Sequence, residues 1–201
     1  MVFNVSLNDI GLKIPTLILR SPRLVLRAWS HEDLSSLISM NSEPEVNGLL
    51  GGPALVEGSA ASILRYRECM AANRWGVFHV ADVAGAFLGL AGLQPVRSTL
   101  PVAPAVEAVW RFRRAAWGAG YASEAMRLVL DGCCQDVAAG QILAIISQPN
   151  IRSAQTATRL GFHHDPKSDF LYPDLALDAS LRPHKVFRLD LNPSIQRHQY
   201  Y

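Results

Sequence analysis

The chain has 201 residues, of which 49% are hydrophobic and 18% are charged. This composition predicts a folded domain with a large core and excludes a disordered chain, because disordered chains are poor in apolar residues. The 19 lysines and arginines nearly balance the 17 acidic residues, so the formal net charge is only +2. Such a weak charge gives no support to nucleic acid or an anionic membrane as a partner. We expect a small substrate or a modest partner instead.

No targeting or membrane-spanning segment is predicted. Residues 1–15 contain Asp9 and Lys13 and never build the apolar core of a signal peptide. The longest nearly apolar run, Ala86–Leu93, is far shorter than the roughly 20 residues that span a bilayer. We therefore expect a cytoplasmic protein that binds no membrane.

The cysteines indicate neither a disulfide framework nor a metal site. The chain has three of them, Cys69, Cys133 and Cys134. Their odd number and the absence of a CxxC pair are not typical of disulfide-rich or zinc-binding domains. We expect no metal.

In chain order, the sequence first predicts one or two strands and then two helices. Apolar and polar residues alternate over 23–29 and less regularly over 16–19. Ser30 and Asp33 have the spacing of a capping box, which indicates a short amphipathic helix directly after them. After a glycine-rich turn, an apolar stripe predicts a second helix over residues 57–73.

Three apolar runs then predict an antiparallel meander, over residues 75–83, 86–96 and 106–112. An amphipathic pattern predicts a helix over residues 120–138, with Gly140 as its stop. Because this helix connects the third strand to a following strand, it predicts a crossover that makes those two strands parallel.

That following strand is predicted over residues 142–147, where branched apolar residues are continuous. Asn150 is expected to cap a helix that ends at Leu160, and extended pieces are expected near Phe170 and over 185–191. The fold class predicted from this order is mixed α/β (α+β), with a mostly antiparallel sheet.

These elements predict one domain over residues 16–191. Residues 1–15 form an N-terminal extension in this prediction, and residues 192–201 form a frayed C-terminal tail. No linker and no internal repeat interrupts the order.

The segment Arg113–Ala125 predicts an anion site. Its glycines, Gly118 and Gly120, lie between a strand and the first turn of a helix, where unpaired backbone N–H groups and the helix dipole favour phosphate. It is not a dinucleotide fingerprint, because the third glycine would fall at Ser123, and no GK[ST] follows for a P-loop. Taken alone, the two glycines would more often only shape a turn.

Three segments in the same order resemble the GNAT superfamily of acyl-CoA-dependent N-acetyltransferases. They are SPRLVLRAWSHEDLSSL (21–37), EAVWRFRRAAWGAGYASEA (107–125) and IISQPNIRSAQTATRLGF (145–162). The likeness is strongest to the branch that contains the ribosomal-protein N-terminal acetyltransferases. It implies a single GNAT-like domain with a splayed parallel strand pair, helices on both faces of the sheet, and acetyl-CoA as co-substrate.

The resemblance also implies how acetyl-CoA binds. The pyrophosphate is expected on the backbone amides of Ala115–Ala122, and the pantetheine arm beside Val109–Phe112. Ala115 stands where the family usually has Arg or Gln, so that contact is absent or moved to Arg113 or Arg114. The residues assigned to acetyl-CoA are Val109, Trp110, Arg111, Phe112, Arg113, Arg114, Ala115, Ala116, Trp117, Gly118, Ala119, Gly120, Tyr121, Ala122, Asn150 and Ser153. Without the resemblance, the last two are an ordinary helix cap and a first-turn residue.

Acyl transfer to an amine requires a base, an oxyanion donor and an acid. Glu107 is the candidate base, because a carboxylate on an apolar strand is desolvated and its pKa rises; the alternative is a strand-end glutamate paired with an arginine. A backbone N–H near Val109–Arg111 is the candidate oxyanion donor. The tyrosine that serves as acid in many members is Ala157 here, so Ser153 or water takes that role.

The acceptor is left open by the sequence. An amine-bearing small molecule and a protein N-terminus both fit, and His184, Arg65, Tyr66 and Arg67 are candidate neighbours of the acceptor. The alternatives to an enzyme are a non-catalytic acyl-CoA-binding or sensor domain and, with less support, an interaction module. The low charge is also compatible with a homodimer.

Overall fold

The fold is described from a computed structural model that covers residues 17–50, 52–173 and 179–191. The predicted N-terminal extension and C-terminal tail lie outside these residues. The strands are β1 (Leu19–Arg20), β2 (Leu24–Arg27), β3 (Val77–Asp82), β4 (Phe87–Pro95), β5 (Val106–Phe112), β6 (Gln141–Ser147), β7 (His163–His164), β8 (Phe170–Leu171) and β9 (Pro183–Asp190). The helices are α1 (Leu34–Asn41), α2 (Pro44–Asn47), α3 (Pro53–Glu57), α4 (Ser59–Asn73), α5 (Tyr121–Cys133) and α6 (Ile151–Arg159).

The described strands form one sheet in the order β1-β2-β3-β4-β5-β6-β9-β7, and β8 pairs with β9. Every pairing is antiparallel except that of β5 with β6, which is parallel. The mixed, mostly antiparallel sheet, the meander of β3 to β5 and the helical crossover through α5 are therefore confirmed.

Helices cover both faces of the sheet, as the resemblance implies. Alternate residues of a strand point to opposite faces. Phe78 and Val80 of β3 pack in the core with α5, whereas Val77 packs in a second core with α1 and α4. Because both faces carry helices, β3 is buried along nearly its whole length.

The capping box predicted at Ser30 and Asp33 is confirmed. The Ser30 N–H donates to Asp33 Oδ2 at 2.7 Å, and the Arg27 guanidinium donates to both carboxylate oxygens at 2.7 and 2.8 Å. Burial by itself would raise the pKa of Asp33, but these hydrogen bonds outweigh it and lower the pKa to about 2. This interaction attaches the start of α1 to the end of β2.

Three element predictions differ from the structure. Two short helices that were not predicted, α2 and α3, flank the glycine-rich turn predicted over residues 48–53, because Pro44 and Pro53 each supply the fixed φ of a first helical residue. The helix predicted over 120–138 ends at Cys133 and continues only as a short 3-10 turn. The two-residue strand β7 was not predicted, since so short a strand has no periodicity of its own.

Among residues 17–50, 52–173 and 179–191, no helix is long and apolar enough to cross a membrane. No group of three or more His, Cys, Asp or Glu side chains in the same ranges is placed to hold a metal ion. Cys69, Cys133 and Cys134 are free thiols.

Close approach of β3 to β4 makes Gly92 sensitive to substitution. A Cβ at Gly92 would lie 2.1 Å from the Gly76 carbonyl oxygen, whereas a Cβ at the exposed Gly140 would contact nothing within 4 Å. We expect Gly92→Ala to lower the free energy of unfolding by about 2 to 3 kcal/mol, because backbone cannot move aside without breaking the ladder. Gly140→Ala is the control and should stay within about 0.5 kcal/mol of the parent. Urea unfolding measures both, and equal midpoints would contradict the packing described.

Candidate functional site

The site is organised by the separation of β5 from β6. These parallel strands are in register at one pair only, Glu107 with Leu143. The other edge of β5 is paired with β4 along its whole length, and the other edge of β6 is paired with β9. Beyond Glu107 the two inner edges therefore diverge, and backbone groups that a continuous ladder would use face an opening.

The loop after β5 presents a row of free backbone amides at one end of this opening. Gly118 and Gly120 both have φ of 81°, a left-handed conformation that strains residues with a side chain. The N–H groups from Gly118 to Ser123 donate to no acceptor in the described part of the chain, whereas the next N–H, of Glu124, bonds to the Gly120 carbonyl. Free amides at the N-terminus of a helix favour an anion, and these lie where the sequence predicts an anion site. The Ala116 and Trp117 amides, which that prediction includes, donate instead to the Arg113 and Arg114 carbonyls.

Trp117 forms one wall beside these amides. Its indole Nε1–H donates to the Phe112 carbonyl at 2.7 Å. The guanidinium carbons of Arg114 and Arg152 lie 5.1 and 4.9 Å from the centre of its ring, so the indole is held between two cations. Positive charge is thereby concentrated next to the free amides.

Arg113 is not directed at the opening. Its Nε–H donates to Glu43 Oε1 at 2.9 Å, and the other oxygen of Glu43 accepts the Arg114 N–H at 2.6 Å. The expectation that Arg113 replaces the side chain missing at Ala115 is therefore not supported by its geometry. Arg114 remains available, since the one carboxylate near its guanidinium in the described residues, that of Glu45, lies at a long distance of 3.7 Å.

The amides and Trp117 lie along a cleft of about 650 Å³, here called the loop cleft. Most residues assigned to acetyl-CoA from the sequence line it: Trp110, Arg111, Phe112, Arg114, Ala116, Trp117, Gly118, Gly120, Tyr121, Ala122, Asn150 and Ser153. Val109 lies outside the loop cleft, and Arg113, Ala115 and Ala119 do not line it either.

The sequence prediction missed a row of side chains on α6. Arg152, Gln155, Thr156 and Arg159 also line the loop cleft. Their spacing of three and four residues places them on one face of the helix. Ser153, already assigned to acetyl-CoA, could have indicated Thr156, which follows it by three residues.

A second cleft of about 360 Å³, here called the Glu107 cleft, lies on the other side of the fork. Glu107 lines it, and its Oε1 accepts a hydrogen bond from Gln94 Nε2 at 2.5 Å. Burial raises the pKa of Glu107, although the Gln94 hydrogen bond and the charge of Arg97 act in the opposite direction. No ion pair of Glu107 exists within the described ranges, so the alternative of a glutamate paired with an arginine does not describe its contacts.

The two clefts meet at residues that line both of them. Among these are Trp110, Arg111, Asn150 and Ser153. Asn150 Oδ1 accepts the Ser153 N–H at 3.2 Å, so Asn150 is a helix cap in addition to lining both clefts. A molecule in one cleft can therefore contact a molecule in the other beside these side chains.

Alternate backbone N–H groups of β5 face the opening, and that of Trp110 is one of them. The Arg113 N–H donates to the Leu88 carbonyl across the β4–β5 ladder at 2.9 Å. Because donors alternate between the two edges of a strand, the N–H groups of Arg111 and Val109 face β4, and that of Trp110 faces the open edge. Of the three N–H groups over Val109–Arg111, where the oxyanion donor is expected, only that of Trp110 therefore faces the opening.

His184 presents a neutral imidazole to the Glu107 cleft. Its Nδ1 lies 2.9 Å from the Arg182 carbonyl, which can only accept, so Nδ1 carries the proton and Nε2 is an acceptor. Burial lowers the pKa of His184. The centre of its ring lies 5.9 Å from that of Phe170 and 4.9 Å from that of Tyr172. His184 is therefore a second group in this cleft that can accept a proton.

Helix α4 walls the Glu107 cleft, as the sequence suggested for its arginines and tyrosine. Arg65 and Tyr66 line the cleft, but Arg67 does not, because its guanidinium donates to the Trp29 carbonyl at 2.9 Å. Ser147 of β6 also lines it, with a buried Oγ that has no hydrogen-bond partner in the described residues. No pattern in the sequence indicated Ser147, because it stands at the end of an apolar strand.

Comparisons with known proteins agree with this geometry. The family model described as an acetyltransferase (GNAT) domain matches residues 23–163. An acetyltransferase from Agrobacterium tumefaciens str. C58 has a TM-score of 0.70 at 21% identity, over 90% of this chain and 98% of that one. The ribosomal-protein-S5-alanine acetyltransferase from Vibrio fischeri has a TM-score of 0.68 at 15% identity, and the match covers 88% of this chain and 98% of that one. A spermidine N-acetyltransferase from Vibrio cholerae, solved with CoA and spermine, has a TM-score of 0.66 at 16% identity. The match covers 85% of this chain and 97% of that one.

At these identities the solved structures share the fold with this chain. The ribosomal-protein branch expected from the sequence is represented among them. The family model matches well over half of the chain, from just before β2, through the fork and the α5 loop, to beyond the end of α6. This chain therefore belongs to the GNAT acetyltransferase family.

Proposed function

We propose that this protein transfers the acetyl group of acetyl-CoA to a primary amine by direct attack of the amine on the thioester. The observation that carries the proposal is the fork of β5 and β6. It joins a row of free amides in the loop cleft to a buried carboxyl group in the Glu107 cleft. An anionic donor and an amine acceptor can meet there without sharing a binding surface.

The residues of the loop cleft fit acetyl-CoA. Free amides from Gly118 to Ser123 suit a pyrophosphate, and Arg152 and Arg159 add positive charge on the facing helix. The open edge of β5 offers backbone groups to the amide-bearing pantetheine arm. A structural neighbour from Vibrio cholerae was solved with CoA, which supports this assignment.

Acetyl-CoA supplies the acetyl group as an activated thioester. Glu107 accepts a proton from the ammonium form of the acceptor, so that the nitrogen has a free electron pair. The new bond joins this nitrogen to the carbonyl carbon, and the carbon–sulfur bond breaks. The Trp110 N–H donates to the carbonyl oxygen while negative charge develops there.

The departing sulfur takes a proton from Ser153 or from water, and the attacking nitrogen gives its second proton back to that donor, so that the products are a neutral amide and a thiol. The position of the tyrosine found in many family members is Ala157, which is completely buried. A side chain at that position would point into the core, because Ala157 packs beside Phe162 and the strands of the α5 face. The proton donor must therefore be another residue, and Ser153, one turn earlier on α6, lines both clefts.

A non-catalytic acyl-CoA-binding domain is the second candidate, favoured by alanine at positions 115 and 157. It shares the loop cleft with the first proposal and differs only at the Glu107 cleft. Acetylation of any amine would identify the protein as an enzyme. Binding of CoA with no acetylation of any amine in a broad panel would identify it as a binding or sensor domain.

A charge placed among the free amides tests the coenzyme site. Ala122 lies in the first turn of α5 and lines the loop cleft. Ala122→Asp should weaken CoA binding at least about tenfold relative to Ala122→Asn, because a carboxylate competes with the pyrophosphate for the same amides. The two variants match in shape, and calorimetry measures both dissociation constants. Pantetheine, which lacks the pyrophosphate, should bind both variants equally. Equal CoA affinities would contradict the site.

The pH profile tests Glu107 as the base. Its raised pKa means that activity should fall as the pH drops through a value above the ordinary 4.5, because the protonated carboxyl cannot accept a proton. Glu107→Gln keeps an acceptor for Gln94 and should lower kcat by about 10² to 10⁴ and abolish this acidic limb, with CoA affinity unchanged. An acidic limb that survives in Glu107→Gln and disappears in His184→Asn would instead assign the base to His184.

A further inference from the structure

The charges around the Glu107 cleft are unbalanced. Arg65, Arg97 and Arg111 line it, against one carboxyl group, that of Glu107. His184, the other titratable group described above, is neutral there because burial lowers its pKa. Over the described ranges, the wall of this cleft therefore carries an excess of positive charge, although the chain as a whole is nearly neutral.

None of these three arginines is neutralised by a carboxylate in the described residues. Arg65 donates to the Ser62 hydroxyl at 2.9 Å, and the Arg97 guanidinium makes no hydrogen bond or ion pair in the part of the chain that the structure describes, although its charge lowers the pKa of Glu107. By contrast, Arg27 and Arg188 are bound to Asp33 and Asp165 at 2.7 and 2.5 Å. The positive charge at the cleft is thus available to a ligand.

Arg111 is the most informative of the three. Its Nη1 donates to a neutral partner, Asn41 Oδ1, at 2.8 Å, and its Nε–H is buried with no acceptor among residues 17–50, 52–173 and 179–191. A buried cation with an unsatisfied N–H is costly unless something supplies negative charge. Arg111 lies on the same face of β5 as Glu107, since the two residues are four positions apart on a strand. Its side chain therefore faces the α1–α4 side of the sheet, where Glu107 also lies.

We infer that the acceptor amine carries an anionic group, a carboxylate or a phosphate, which is bound by these arginines. The inference rests on the proposed function, because it assigns the Glu107 cleft to the acceptor. Glu107 attracts the ammonium group, and the arginines attract the anionic group. A polyamine brings further positive charges to the same wall and is disfavoured.

Three amines with the same five-carbon chain test the inference. They are 5-aminopentanoate, pentylamine and cadaverine, whose far ends are anionic, neutral and cationic. We expect kcat/KM for 5-aminopentanoate to exceed that for pentylamine at least about tenfold, and cadaverine to be the poorest substrate. Equal or better acetylation of cadaverine would overturn the inference.

Variants link the preference to the arginines. Arg65→Gln combined with Arg97→Gln should reduce the preference for the anionic amine to within about threefold, mainly through KM, with CoA affinity unchanged. Arg67→Gln, on the same helix but outside the cleft, is the matched control and should keep the full preference. A preference that persists in the double variant would overturn the assignment to these arginines.

A second experiment distinguishes the two molecules that could carry the anionic group, a protein N-terminus and a small metabolite. Peptides with acidic residues directly after the N-terminus, and matched peptides with lysine there, are compared with 5-aminopentanoate. Faster acetylation of the acidic peptide than of the small amine assigns the site to a protein N-terminus, and the reverse assigns it to a small metabolite. Preference for the lysine peptides would overturn the inference.

Failure of the proposed function remains distinguishable from failure of the inference. If CoA binds but no amine is acetylated, the proposed transfer is wrong. Binding of 5-aminopentanoate and of cadaverine to the CoA complex, measured by calorimetry, then still tests the charge preference. Tighter binding of cadaverine would overturn it, and tighter binding of 5-aminopentanoate would support it.

Discussion

The separation of β5 from β6 is the constraint on which the site depends. Parallel strands held along their whole length would close the sheet and leave no room between them. Here Glu107 and Leu143 are the single registered pair, while β4 and β9 hold the outer edges in place. Because the outer ladders are continuous, the divergence is rigid, and the exposed inner edges become binding surface without loss of the sheet.

The two clefts at this fork differ in how they provide positive charge. The loop cleft uses backbone amides, and part of the nearby arginine charge is taken up by Glu43. The Glu107 cleft uses side chains that have no carboxylate partner in the described residues. Backbone donors hold their positions whatever is bound, whereas arginine side chains can adapt. Under the proposed function, the fixed amides would hold the coenzyme and the adaptable side chains would hold the acceptor.

Much of the site could be predicted from the sequence because its parts are local. The glycines at 118 and 120 need a left-handed backbone, and the amides that follow them are free by virtue of starting a helix. The partners of Arg113 and Glu107 could not be predicted in this way. Glu43 lies 70 residues from Arg113, and Gln94 reaches Glu107 only across the β4–β5 ladder. Their contacts follow from register, which no short segment encodes.

By itself the sequence determined the order of strands and helices, the crossover and the anion loop, since periodicity, glycine placement and capping act over a few residues. The family followed from the same local segments. Only the tertiary structure decided which charges are paired, that Trp110 points its N–H at the junction, and that Arg65, Arg97 and Arg111 share a cleft with Glu107. The reason is that charge pairing and burial depend on distances between separate elements, which are fixed by packing and not by neighbours in the chain.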